Sequence, residues 1–265
     1  MKIIKNNLLK ATLVCLMVFV YFAQNSNAQC RVITIGDSTM AQYDETVNDK
    51  LNELRGWVQM LPPFLANSVT LDNFGKCGRS SKSFYYEFWK ELRETLQPGD
   101  YVFIQFGHND EKNAGLDSKE SNQKGLGTAA WGQYIEYLTK YVQECRNRGA
   151  IPVLFTSIVR GSITVDGKLT PESLHNLSNI CGNNIQMNYP LAMRALAKEL
   201  AVPLIDMTLL TQKLVEAYGY EKAKKYIYCS KDNAHLKATG GILFAGLAVK
   251  EMYKQGILKQ EFILP

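Results

Sequence analysis

Four short segments carry the residue types that acyl transfer requires. Gly36-Asp37-Ser38-Thr39-Met40 places a serine directly after an apolar run. A glycine there lets the chain turn sharply, and the carboxyl end of a buried strand is where open α/β sheets build their active sites. Asp37 or Ser38 would serve equally as a helix cap. The sequence has no G-x-S-x-G, so the strained elbow of the α/β-hydrolases is not the device in use. A serine hydroxyl needs a base to take its proton. Of the three histidines, His235 lies in Asp232-Asn233-Ala234-His235, with a carboxylate three residues upstream. On a tight turn that spacing brings Asp232 to Nδ1, fixes the tautomer and leaves Nε2 to face a hydroxyl. The alternative is a helix start capped by Asp232, with the ring exposed. His175 reads as lacking a close carboxylate, in a long loop expected to be mobile. His108 is wedged between Gly107 and Asn109-Asp110.

Acyl transfer also needs donors aimed at the oxyanion of the tetrahedral intermediate, each worth on the order of 3 kcal/mol in the transition state. Gly75-Lys76-Cys77-Gly78-Arg79-Ser80 offers a glycine N–H, and Gly107-His108-Asn109-Asp110 offers the Asn109 amide. Both segments also suit ordinary turns. Their joint placement is more telling. Three of the four segments follow three successive apolar, β-rich stretches, Arg31 to Ile35, Val69 to Asn73 and Tyr101 to Phe106, and the fourth precedes the last helical pattern.

Two further stretches, Ile151 to Ser157 and Val202 to Ile205, complete five predicted strands. Between them run helical patterns: Phe84, Phe88, Leu92 and Leu96, then Trp131, Ile135, Leu138 and Val142, with a closing helix over about 238–253. Strand and helix alternate, which predicts an α/β fold with a parallel sheet covered on both faces. Two connections are longer than the architecture needs. Residues 111–127 are polar and Gly-rich; residues 159–189 carry Asn176, Asn179, Asn183, Asn184 and Asn188. Such loops are usually functional or mobile.

The N-terminus reads as an export signal over residues 1–28. Lys2, Lys5 and Lys10 precede an apolar run from Ala11 to Ala23, then Ser26-Asn27-Ala28. That run is short of the roughly 20 residues a membrane span needs, so no stable membrane insertion is expected after the leader is removed. A single domain, 29–265, would remain, exported to the periplasm or secreted. Loss of three lysines and no acids takes the formal charge from +5 to +2, and no basic tract survives to suggest a nucleic-acid partner. Five cysteines follow the leader, Cys30, Cys77, Cys145, Cys181 and Cys229, without CxxC spacing, and the histidines form no HExxH. No metal site or cofactor is expected.

Together the four segments resemble the conserved blocks of the SGNH (GDSL-type) hydrolases, and more narrowly their rhamnogalacturonan acetylesterase branch, over Arg31 to about Tyr253. The cues are GDSTM from Gly36, GRSS from Gly78, FGHND from Phe106, and a strand followed by Arg160. The resemblance implies a three-layer, flavodoxin-like α/β/α sandwich. It implies Ser38 as nucleophile with Asp232 and His235 completing a triad, and an oxyanion hole from Ser38, Gly78 and Asn109. It also implies an acetylated polysaccharide as substrate. Arg79, His108 and Arg160 are then candidates for binding it, and Trp57 for lining a sugar site. Gly56-Trp57-Val58-Gln59 departs from the family's GWG pattern at Val58, and the two long connections leave the natural ester open. The same fold also serves lipases and thioesterases, and a non-catalytic glycan-binding module is the alternative outside enzymes.

Overall fold

Period-two burial along the strands sets the layers. On β1 (Cys30–Gly36), Val32 enters one core while Ile33 and Ile35 enter the other. The same alternation on β3 (Tyr101–Gln105) sends Phe103 to the first core and Val102 and Ile104 to the second. A sheet buried on both faces must be covered twice, and helices do so. Helices Met207–Tyr226 and Ala238–Gln255 supply the first core; Ile135–Asn147 and Tyr189–Glu199 supply the second. The structure, a computed structural model, describes residues 29–44, 53–112, 117–119, 126–179, 187–230 and 232–264. The leader reading for 1–28, Cys181, Asn183 and Asn184 all lie outside the described residues.

With β2 (Val69–Asn73), β4 (Ile151–Phe155) and β5 (Leu204–Ile205), the sheet runs β2-β1-β3-β4-β5 and every pairing is parallel. This is the order of the flavodoxin-like sandwich that the family resemblance implied, and it puts the topological switch between β1 and β3. Gly36 pairs with Gln105 at that point, so the segments that follow both strands emerge side by side.

The differences from the sequence reading are local. The helix read from Phe84 to Leu96 is α-helical over Ser81–Phe84, widens to a π-helical turn over Tyr85–Trp89, and resumes at Lys90–Leu92. Tyr85 and Trp89 both donate to Glu144 across the wider turn, at 2.7 and 2.6 Å. In the described part of the long connection after β4, bridges join Ile163 to Leu169 and Asn176 to Asn188, with a 3-10 turn over Glu172–Leu174. The described cysteines Cys30, Cys77, Cys145 and Cys229 are free thiols. Among the described residues, no helix is long and apolar enough to cross a membrane.

Candidate active site

The turn after β1 is fixed from three sides. Asp37 is fully buried, and its Oδ1 accepts from Thr39 N at 2.9 Å and Thr39 Oγ1 at 2.7 Å. Thr39 Oγ1 accepts from Gln105 Nε2 at 2.7 Å, and Gln105 Oε1 accepts from Trp57 Nε1 at 3.0 Å. The donors therefore run in one direction, from indole to amide to hydroxyl, and end on a carboxylate. On the β2 side, Asn73 Nδ2 donates to Met40 O at 2.7 Å. Tyr43 Oη donates to Ser38 O at 2.8 Å, and its own backbone is held by the Gln59 amide at 3.1 and 2.9 Å.

Ser38 is thereby presented to a loop from the other end of the chain. That loop is anchored by bridges from Leu236 to Tyr228 and to Arg55, and by Cys229 N donating to His235 O at 2.9 Å. Asp232 Oδ1 accepts from Ala234 N and His235 N at 2.8 and 2.7 Å, which closes the turn that the spacing suggested. Asp232 Oδ2 lies 2.9 Å from His235 Nδ1, and His235 Nε2 lies 2.9 Å from Ser38 Oγ. A carboxylate only accepts, so Nδ1 donates to it and Nε2 is left with its lone pair toward the hydroxyl. Burial works to raise the Asp232 carboxyl, but the His235 and Ala234 amides and the imidazole outweigh it and hold it below its ordinary value. The arrangement can remove a proton from Ser38 and stabilise the resulting imidazolium. It is also open, with the Asp232 and His235 side chains 43% and 29% exposed.

The oxyanion candidates lie in the segments that follow β2 and β3, the two strands that pair with β1. Gly78 has φ 71°, a left-handed conformation that residues with a Cβ seldom adopt. The Asn109 side chain donates to Arg79 O at 3.0 Å, tying the turn after β3 to the segment after β2. Asp110 strengthens that tie from below, accepting from Ser81 N at 3.0 Å and Thr128 Oγ1 at 2.7 Å. Burial pushes its carboxyl up to about 7, against the pull of these donors.

This constellation on a 2-1-3-4-5 sheet coincides with a match of residues 34–240 to the model of the GDSL-like Lipase/Acylhydrolase family. The chain belongs to that family. As a GDSL-like acylhydrolase it is a carboxylic ester hydrolase. It is 34% identical to the rhamnogalacturonan acetylesterase RhgT of Bacillus subtilis, over 80% of this chain and 79% of that one. It is 28% identical to the probable rhamnogalacturonan acetylesterase YesY of the same organism, over 86% and 95%. Among solved structures, YxiM of B. subtilis superposes with a TM-score of 0.68 at 24% identity, over 87% of this chain and 58% of that longer one. Axe2, an acetylxylan esterase of Geobacillus stearothermophilus, gives 0.55 at 14%, over 84% and 93%.

Three of the other candidates, His108, Trp57 and His175, sit differently from the sequence reading. His108, expected at the sugar surface, is 4% exposed and faces Asp37 and His175. Trp57 is fully buried, its ring tilted against Phe155, and serves the turn rather than a sugar. His175 does have a carboxylate: it is buried, with Nδ1 3.0 Å from Glu111 Oε2 and Nε2 2.8 Å from Ile158 O. Arg160 pairs with the same Glu111 and donates to His108 O at 3.1 Å. Arg79 pairs with Glu87 at 2.8 Å and stacks over Phe88, 5.3 Å from the ring centre. Both guanidinium groups are thus engaged within the fold. Among the described residues, no group of three or more His, Cys, Asp or Glu is placed to hold a metal ion.

Proposed function

We propose that the chain is a carbohydrate acetylesterase that removes O-acetyl groups from an acetylated plant polysaccharide, rhamnogalacturonan above others. The observation that carries this is the unbroken Ser38, His235 and Asp232 relay, at 2.9 Å for each step. Ser38 Oγ attacks the acetyl carbonyl while His235 takes its proton, and Asp232 stabilises the imidazolium. His235 returns the proton to the departing sugar hydroxyl. Water then repeats the sequence on the acetyl-enzyme and releases acetate. The N–H groups of Ser38 and Gly78 and the Asn109 amide hold the oxyanion in both halves.

The polymer is argued from the likeness to RhgT and YesY and from the exposure of the relay, since an acetyl group carried on a bulky chain reaches an open site more easily than a deep pocket. Acetyl release would then occur outside the cytoplasm, in line with a leader over residues 1–28. Ser38→Ala removes a single oxygen and should abolish hydrolysis of 4-nitrophenyl acetate with the melting temperature unchanged. Full activity in that variant would end the proposal. For the substrate, acetate release from acetylated rhamnogalacturonan should exceed that from acetylated xylan and mannan; the opposite ranking would move the assignment to another polysaccharide.

A further inference from the structure

Beneath the Ser38 turn lies a buried polar cluster to which the acyl transfer assigns no task. Asp37 Oδ1 is occupied by the two Thr39 donors, whereas Asp37 Oδ2 is buried without a hydrogen-bond partner. Both ring nitrogens of His108 are in the same position. His108 Nδ1 stands 3.6 Å from Asp37 Oδ2, an electrostatic approach rather than a formed hydrogen bond. Behind it the ring of His175 packs edge-on at 4.3 Å between centres, backed by Glu111 and Arg160. A buried carboxylate with one unattended oxygen takes up a proton unless something polar faces that oxygen. In this fold the group facing it is His108.

We propose that His108 is a positioning residue for Ser38: its Nδ1–H, directed at the free oxygen of Asp37, keeps that carboxylate ionised and so holds the Asp37-Ser38-Thr39 turn in its working shape. The inference rests on the serine-esterase reading above. Asp37 can take both Thr39 donors on one oxygen only while it is a good acceptor, and those donors fix the backbone that carries the Ser38 N–H and Oγ. His108 also adjoins Asn109, so one ring links the turn after β1 to the turn after β3. Burial, reinforced by His175, holds His108 down to about 4. Burial would raise Asp37, but the His108 ring and the Thr39 donors keep it below its ordinary value. Among the described residues, Tyr43, Tyr134 and Asp110 also feel Asp37. None of the three puts a positive charge against it, which leaves the ring of His108 as the adjustable partner.

The test pairs two side chains of similar shape, His108→Gln, which keeps an N–H donor, and His108→Met, which has none. We expect His108→Met to lower kcat for 4-nitrophenyl acetate by about tenfold or more with KM within about twofold. The acid limb of its kcat profile should move to higher pH, because an Asp37 without its donor protonates sooner as pH falls. His108→Gln should keep both near the parent values. Equal profiles for parent and Met variant overturn the proposal, as does an equal loss in both variants with the acid limb unmoved, which is what mere packing would give. Should the Met variant not fold, the Gln variant still decides: a folded His108→Gln with kcat down about tenfold sinks the idea. A parent protein that neither hydrolyses the ester nor labels with a fluorophosphonate fails the esterase reading itself and takes the role of His108 with it. An active parent with an unmoved limb in the Met variant removes only His108.

Discussion

Asn109 carries two amide protons, and one of them is already committed to Arg79 O at 3.0 Å. That contact fixes the amide plane, and in the proposed mechanism the second proton is the one that would meet the charge developing on the ester carbonyl oxygen. Because the group is held by a neighbour rather than by substrate, it needs no reorganisation when the oxyanion forms. Asn109→Ala should therefore lower kcat by roughly 100-fold to 1,000-fold with little effect on KM, measured on 4-nitrophenyl acetate. A turnover within twofold of the parent would remove Asn109 from the oxyanion hole. That Ser38, His235 and Asp232 could meet was legible in sequence, because each sits in a short segment that fixes its own local geometry. His235 and Asp232 are three residues apart, and the turn needs only two backbone N–H bonds to bring them together.

What sequence could not supply is the support one step further out. Trp57, Gln105, Thr39 and Asp37 form one directional chain, but its members are scattered along the sequence and meet only because β1 pairs with β3. An aromatic residue beside a glycine looks the same on paper whether it lines a sugar site or anchors a turn, and burial alone separates the two. Gly56 shows what the neighbouring residue is for. A Cβ at Gly56 would lie 2.2 Å from Ala41 O and 2.5 Å from Met40 C, which are backbone atoms of the turn itself. They cannot swing aside as a side chain would. Gly56→Ala should displace the Ser38 turn, destabilising the fold by about 1–3 kcal/mol and lowering the melting temperature by several degrees. kcat should fall alongside. An unchanged melting temperature with full activity would show that the turn tolerates the shift and that its close packing has no bearing on catalysis. The π-helical turn at Tyr85–Trp89 was equally hidden, since a spacing of four fits both helix types until the shared Glu144 contact is seen.

At the scale of the whole molecule, the two long connections are tied together underneath the site. Glu111 begins the loop after β3, Arg160 follows β4, and His175 belongs to the inserted segment beyond it; the three meet in one largely buried cluster. Sequence could not reveal this, because the carboxylate and the imidazole are separated by the very loops that looked mobile. Burial would raise the Glu111 carboxyl, but His175 and Arg160 outweigh it and bring it down to about 2, against 4.5 for an ordinary glutamate. A carboxyl whose folded value is depressed stabilises the native state at every pH above its ordinary value, and that contribution is lost as pH falls from 4.5 through about 2. The shift corresponds to about 3 kcal/mol. Asp37, Asp232 and Glu144 are also depressed, so the acid unfolding of the parent sums several groups, and the difference between two proteins is needed to isolate one. Glu111→Gln should be less stable than the parent at neutral pH by about 3 kcal/mol or more, since it also leaves the Arg160 guanidinium without its carboxylate. Urea unfolding at a series of pH values should show the gap between the two proteins constant above 4.5 and closing toward 2. A gap that stays constant through that window would mean that Glu111 holds the loops by packing and hydrogen bonding alone, with no charge in the tie.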